Sequence, residues 1–305
     1  MQSTNPIAAT AIAPTSSVAD YFTLMKPGVM ALVVFTGATG LWLAPASVHP
    51  FLQLLAIFAI ALGSGAGAVL NMVYDRDIDR IMRRTSSRPI PAGRIAPDDA
   101  LAFGLMLTVA SVGLIGLALN WVAAAWLGFA IFFYAVIYTM LLKRHTPQNI
   151  VIGGAAGAFP AVIGWAAATG DAFALYPWLL FLIVFLWTPS HFWALALYRH
   201  DDYRTANVPM LPVIHGETYT KRAIFIYSLL LVISSFMPMV LTNAGLIYGV
   251  AAAALGTQYI IHAWRVLHSD DPKVAMRLFG FSILYLFLLF GALLADHALL
   301  LFKLV

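Results

Sequence analysis

The chain has 305 residues, 62% of them hydrophobic and 10% charged, and apolar runs recur along its whole length, which leaves no room for a separate soluble domain. It contains no cysteine, which excludes disulfides, a zinc–thiolate site and a cysteine nucleophile. The formal net charge of +4 does not point to nucleic acid, because the basic residues lie in short loops between apolar runs, where membrane topology accounts for them.

Residues 1–25 are rich in Ala, Ser, Thr and Pro and carry no Lys or Arg, so they fit neither a signal peptide nor an Arg-rich transit sequence, and the reading is a disordered tail. After Lys26-Pro27-Gly28 come nine segments of membrane-spanning length, placed at 27–45, 50–72, 99–119, 121–142, 149–169, 175–197, 222–242, 245–265 and 277–300. The expected fold is therefore an all-α polytopic membrane protein. With nine spans, 16 of the 17 Lys and Arg residues fall on one side and only Lys303 on the other. That bias assigns the basic side to the cytoplasm, with the N-terminus in and the C-terminus out, and losing one span would scatter the later charges over both faces. Loops 73–98 and 198–221 on this side are long and every opposite connection is short, so chemistry is expected on the cytoplasmic face.

The first long loop starts where the second span ends. Asn71, Asp75 and Asp79 recur at i, i+4, i+8, so a continuing helix carries them on one face as a ladder of hard oxygen ligands. Such ligands suit Mg²⁺, which takes one or two carboxylates and completes its octahedron with water and phosphate oxygens. Asp77 falls near the opposite face, with Arg76, Arg80 or Arg84 to neutralise it. The arginines that follow match phosphate geometry through their guanidinium forks. The competing reading is a solvated, charge-rich loop beside a membrane span.

The second long loop repeats the plan, from His191 through Tyr198, Asp201, Asp202 and Arg204 to Pro212. On a continuous helix His191, Tyr198 and Asp202 share a face, with His191 about 16 Å deeper in the membrane at 1.5 Å per residue. An ionisable group at that depth is costly and usually faces an interior cavity; the alternative is a histidine hydrogen-bonded within the bundle. Asn149 opens the fifth span, where it is expected to cap the helix. Gly63, Gly65, Gly67, Gly153, Gly154 and Gly157 are read as close-packing positions.

At these two loops the sequence resembles the UbiA superfamily of intramembrane prenyltransferases, whose Asn-x3-Asp-x3-Asp motif is met by Asn71, Asp75 and Asp79. Within it the strings around Arg84–Arg94, Thr146–Gly157, His191–Leu195 and Asp202–Pro212 are similar to the branch that farnesylates haem. The resemblance covers nearly the whole chain apart from the tail. It implies a nine-helix UbiA-like bundle, residues 26–305, around a central cavity, with the active site on the cytoplasmic side of a bacterial inner membrane.

The activity so implied is Mg²⁺-dependent transfer of a farnesyl group from farnesyl diphosphate to the 2-vinyl group of haem B, with haem B a substrate rather than a cofactor. The metal ligands would be Asn71, Asp75, Asp79 and Asp202, and the diphosphate contacts Arg76, Arg80, Arg88, Arg94 and Arg204. His191, Tyr198 and Asn149 would line the acceptor pocket, and Asp75, Asp79, Asp202 and His191 would be catalytic. For His191, three roles are open: proton acceptor, iron ligand or propionate contact. Implied partners are membrane lipid and haem A synthase or a terminal oxidase. One departure stands out, since other branches carry a second Asp-x3-Asp, whereas Asp202 is followed four residues later by Ala206 and the pair Asp201/Asp202 is left to do that work, or the second metal is held differently. Two alternatives remain: another aromatic prenyltransferase of the superfamily, with 4-hydroxybenzoate or a similar acceptor, and a secondary transporter of anions. A transporter is expected to break its helices near the midplane, whereas here the acids lie at helix ends on one face.

Overall fold

The structure is a computed structural model and describes residues 16–242 and 244–303. Among these residues eight helical segments are long and apolar enough to cross a membrane, and a bent pair makes a ninth. The pair is α1 (Val18–Leu24) and α2 (Pro27–Trp42), set at 55° to each other. Then follow α3 (Pro50–Tyr74), the short α4 (Arg76–Ile81), α5 (Pro97–Ala118) and α6 (Trp121–Phe132), whose span continues to Leu142 as a π-helix, Phe133–Leu142. The fifth span is α7 (Asn149–Gly153) with α8 (Ala155–Thr169), and the sixth is α9 (Leu175–Tyr198), followed by the short α10 (His200–Thr205). The last three spans are α11 (Leu211–Ser235) with α12 (Met237–Leu241), then α13 (Leu246–Leu267) and α14 (Pro272–Lys303). Each span matches an apolar segment of the sequence, and prolines open α2, α3, α5 and α14, where a missing N–H costs no hydrogen bond.

The tail reading needs correction at its inner end; residues 1–15 lie outside the described residues. Val18–Leu24 is a helix because Ser17 and Asp20 form a reciprocal capping box, with Ser17 Oγ 2.8 Å from Asp20 Oδ2. Arg94 from the first long loop then donates to Asp20 Oδ1 at 2.7 Å, and Leu24 is fully buried. Lys26, at the elbow, takes a left-handed conformation (φ 54°).

In a bilayer, helices associate through close contact rather than through hydrophobic expulsion, so small residues mark their crossings. The tightest is α2 on α8. A methyl group added at Gly40 would stand 2.0 Å from the Ala161 carbonyl oxygen, and one at Gly164 1.9 Å from the Gly37 carbonyl oxygen. Two of the glycines expected to serve close packing have a more specific use. Gly67 and Gly153 make room for Tyr134 and Tyr138 of the π segment, whose rings stack at 5.5 Å. Gly157 meets nothing within 4 Å. One buried cluster joins α9, α11, α13 and α14, and a second joins α3, α5, α6 and α8. Both long loops leave the same end of this assembly.

Candidate active site

Helix α3 ends at Tyr74, yet the ladder survives the break because its backbone hydrogen bonds keep the four-residue step. Asp75 N donates to Asn71 O at 2.9 Å and Asp79 N to Asp75 O at 2.8 Å. Asn71, Asp75 and Asp79 are all buried, whereas Asp77 has a side chain 60% exposed on the other face. Asn71 Nδ2 donates to Asp75 Oδ2 at 2.7 Å and to Thr139 Oγ1 at 3.1 Å.

Three cations from three segments converge on this trio. Lys26 Nζ donates to Asn71 Oδ1 at 2.6 Å, Lys143 pairs with Asp75, and Arg88 Nη1 lies 2.6 Å from Asp79 Oδ2. Burial strengthens the attraction within such pairs but adds the cost of desolvating both charges, and it makes an unpaired charge expensive. Arg144 adds a fourth contact, 3.6 Å from Asp75 Oδ1. It also takes the part expected of Arg76, Arg80 or Arg84: it grips Asp77 in a fork at 2.6 and 2.8 Å, stacks on the Tyr74 ring at 4.6 Å, and holds the Asp77 carboxyl down to about 2. Arg76 and Arg80 are exposed, and Arg76 donates to Val73 O near the end of α3 at 2.8 Å. Arg94 is spent on Asp20 and on Ser87 O at 3.1 Å. Of the five loop arginines expected at a diphosphate, Arg88 alone contacts the trio, and Arg204 pairs with Asp201 at 2.9 Å. In the sequence Lys26, Lys143 and Arg144 read only as topology charges, although Lys143-Arg144 at the end of a span is a visible signal.

In the second loop α9 stops at Tyr198, Arg199 leaves helical geometry (φ −109°, ψ 27°) and α10 begins at His200, while Arg199 N donates to Leu195 O at 2.9 Å and Tyr203 N to Arg199 O at 3.3 Å. Of the three residues expected on one face, Tyr198 and Asp202 meet at a common cleft, and His191 is not among the residues that line it. Tyr198 and Asp202 line a cleft of about 380 Å³, together with Arg83 of the first loop and Lys221 and Asp270 beyond. The two long loops thus meet in one cleft. The neighbouring aspartates differ sharply, since Asp201 is 84% exposed and paired with Arg204 at 2.9 Å, whereas Asp202 Oδ2 is buried with no hydrogen-bond partner. Next to it Tyr203 is buried, which pushes its phenol up, while the Arg84 guanidinium opposes the shift.

His191 turns instead toward α14. Its ring lies between Trp187 (4.2 Å) and Phe279 (4.3 Å), and Nδ1 is 2.6 Å from Ser282 Oγ. Ser282 Oγ itself donates to Phe279 O at 2.6 Å. Asn149 is fully buried, but Gln148 holds the cap position; the Asn149 amide donates to Thr146 O at 2.7 Å and Pro209 O at 3.4 Å, tying the loop after α6 to the one after α10.

The donors fit a hard divalent cation. Asp75 Oδ1 and Asp202 Oδ2 are buried oxygens without hydrogen-bond partners, an arrangement that costs free energy unless something else engages them. Among the described residues no three His, Asp or Glu side chains converge on one point. Asp75, Asp79 and Asp202 are thus not gathered at one point, and a Mg²⁺ ion held by one or two of them would take its remaining ligands from water and substrate phosphates.

Residues 33–295 match the UbiA prenyltransferase family. Curated relatives named protoheme IX farnesyltransferase include one from Rhizobium etli (strain CIAT 652), 56% identical over 92% of this chain and 90% of its own length. Another, from Rhizobium rhizogenes, is 57% identical over 91% and 88%, and one from Parvibaculum lavamentivorans is 53% identical over 93% and 90%. Among solved structures, a digeranylgeranylglyceryl phosphate synthase superposes with a TM-score of 0.75 at 20% identity, covering 92% of this chain and 98% of that one. A UbiA homologue from Archaeoglobus fulgidus, bound to GPP and Mg²⁺, gives 0.61 at 16% identity over 90% and 99%. With an all-helical membrane fold, a buried Asn-x3-Asp-x3-Asp ladder and these relatives, the chain belongs to the UbiA prenyltransferase family and is a membrane-embedded prenyltransferase.

Proposed function

We propose that the protein transfers a farnesyl group from farnesyl diphosphate to the 2-vinyl group of haem B, in a Mg²⁺-dependent reaction that gives haem O and diphosphate. The observation that carries this reading is the identity of 53–57%, over more than 90% of the chain, with relatives named for that substrate. Asn71, Asp75 and Asp79, with Asp202 from the second loop, would hold the metal, which when bound neutralises a diphosphate leaving group. Arg88, Lys26 and Lys143 touch the same trio, so a diphosphate there lies within reach of three cationic donors. Water is kept from the allylic carbon by the apolar side chains between the spans.

The vinyl carbon attacks the allylic carbon as its C–O bond breaks, and water adds to the resulting cation to leave a hydroxyethylfarnesyl substituent and one proton. His191 suits a lone-pair role in this step. The Ser282 hydroxyl hydrogen is committed to Phe279 O, so Ser282 Oγ accepts from His191 Nδ1–H, and the lone pair of the imidazole sits on Nε2. That tautomer favours taking a proton or ligating iron over donating to a propionate. Tyr198 lines the cleft where the loops meet, and Asn149 would act on the acceptor pocket through the loop it ties down at Pro209. The basic face is cytoplasmic in this reading and the membrane is a bacterial inner membrane, with the N-terminus in and the C-terminus out.

Membranes containing the protein, supplied with Mg²⁺, labelled farnesyl diphosphate and either haem B or 4-hydroxybenzoate, test the acceptor. Label is expected in the porphyrin. Label in the phenol alone would move the protein to another branch of the family.

A further inference from the structure

The fourth span does not finish as an α-helix. Over Phe133–Leu142 its hydrogen bonds run five residues back, and Lys143 N continues the pattern by donating to Tyr138 O at 2.8 Å. A π segment of this length is rare, because the wider turn packs less well, and such segments gather at functional sites. Its effect here is one of register. At roughly 4.4 residues per turn, steps of four and of five both return to nearly the same face. Tyr134, Tyr138, Thr139 and Lys143 therefore share a face. In an α-helix, at 3.6 residues per turn, Lys143 would lie about 180° from Tyr134 and Thr139 about 140° away.

The shared face meets the acidic ladder. Lys143 reaches Asp75, and Thr139 Oγ1 lies 3.1 Å from Asn71 Nδ2. The Thr139 hydroxyl hydrogen is already committed, since Oγ1 donates to Tyr134 O, five residues back, at 2.8 Å. Only lone pairs then face Asn71. Asp75 Oδ2, also an acceptor, lies 2.7 Å from the same amide nitrogen. With two acceptors on one side, Asn71 must turn its NH₂ toward them and its carbonyl oxygen the other way, where Lys26 Nζ stands 2.6 Å off. Thr139 and Asn71 are both buried, so no solvent molecule stands in readily for the lost partner.

We infer that Thr139 is a positioning residue of the prenyl-transfer reaction: the π register brings its oxygen to the Asn71 amide and fixes Asn71 Oδ1 outward as a ligand oxygen for the metal that would hold the diphosphate. The inference rests on the proposed role of Asn71 and Asp75 in holding that group. It distinguishes a hydroxyl that organises the ladder from one that only satisfies its own helix, which any small side chain would replace.

The test is equilibrium binding of labelled farnesyl diphosphate to the purified protein across a Mg²⁺ titration, with thermal unfolding in metal-free buffer run in parallel. Thr139→Val keeps the shape and removes the acceptor, and should raise the Mg²⁺ concentration needed for half-maximal binding about 10-fold, the scale of one buried hydrogen bond. Thr139→Ser keeps the acceptor and should stay within about 2-fold of the parent. In turnover the valine change should appear mainly in the Mg²⁺ requirement, with kcat at saturating Mg²⁺ largely restored. If Thr139→Val binds like the parent while Asp75→Asn loses Mg²⁺-dependent binding, the positioning role is wrong and the site stands. If Thr139→Ser is as impaired as Thr139→Val, or if Thr139→Val and Thr139→Ala both fall only in step with lost thermal stability, the hydroxyl is merely structural. If neither the parent nor any variant binds in a Mg²⁺-dependent way, the site assignment and this inference fall together.

Discussion

Charge neutralisation decides the behaviour of individual side chains here. Asp75 and Asp79 are buried carboxylates, and each is matched by a cation from another segment, Lys143 and Arg88. Asp75→Asn and Asp79→Asn keep side-chain volume and remove the ligand charge, so each should lower Mg²⁺-dependent turnover about 10²-fold or more while the protein still inserts and folds. Steady-state kinetics at several Mg²⁺ concentrations would show it, and undiminished rates at limiting Mg²⁺ would exclude both as ligands. The two aspartates of the second loop should separate. Asp202→Asn removes a buried, unpartnered oxygen and should cost activity on the same scale, whereas Asp201→Asn breaks only an exposed pair with Arg204, worth at most about 1 kcal/mol, and should be nearly silent. His191→Phe preserves the stack between Trp187 and Phe279 and removes both nitrogens; it should abolish farnesylation of haem with little change in farnesyl diphosphate binding. Equal loss of both would place His191 with the diphosphate ligands.

At the scale of elements, the nine apolar segments and the helical phase of Asn71, Asp75 and Asp79 were legible in the sequence, because burial and a four-residue step are local properties. Three features were not. Composition marks residues 18–24 as tail, and only the Ser17–Asp20 box and the distant Arg94 make them a helix. The apolar string Phe133–Leu142 reads as an ordinary span, since nothing in it announces a five-residue step. The surroundings of His191 are set by Phe279 and Ser282 of α14, the latter 91 residues further along the chain, and no local pattern announces them. The α2–α8 crossing gives an element-scale prediction. Gly40→Ala and Gly164→Ala each drive a methyl group into a carbonyl oxygen and should destabilise by about 3 kcal/mol or more, whereas Gly157→Ala, with open space around it, should be neutral or slightly stabilising. Thermal midpoints in one detergent would rank the three, and equal midpoints would mean the crossing is looser than described.

For the molecule as a whole, the bundle sets two charged loops at one end, and the sidedness of that end is the claim that sequence charge makes most directly. Reporters fused after Ala96, Arg144, Gly216 and Pro272 should all report cytoplasm, and reporters after Ala46 and Gly170 the opposite side; a cytoplasmic signal at Gly170 would break the nine-span order. The most direct test of the whole account is product formation by the purified protein with farnesyl diphosphate, haem B and Mg²⁺. Diphosphate release and porphyrin modification should proceed one for one, stop on removal of Mg²⁺ and be lost in Asp75→Asn. Diphosphate released without modified porphyrin, or porphyrin farnesylated equally well without Mg²⁺ or by Asp75→Asn, would contradict it.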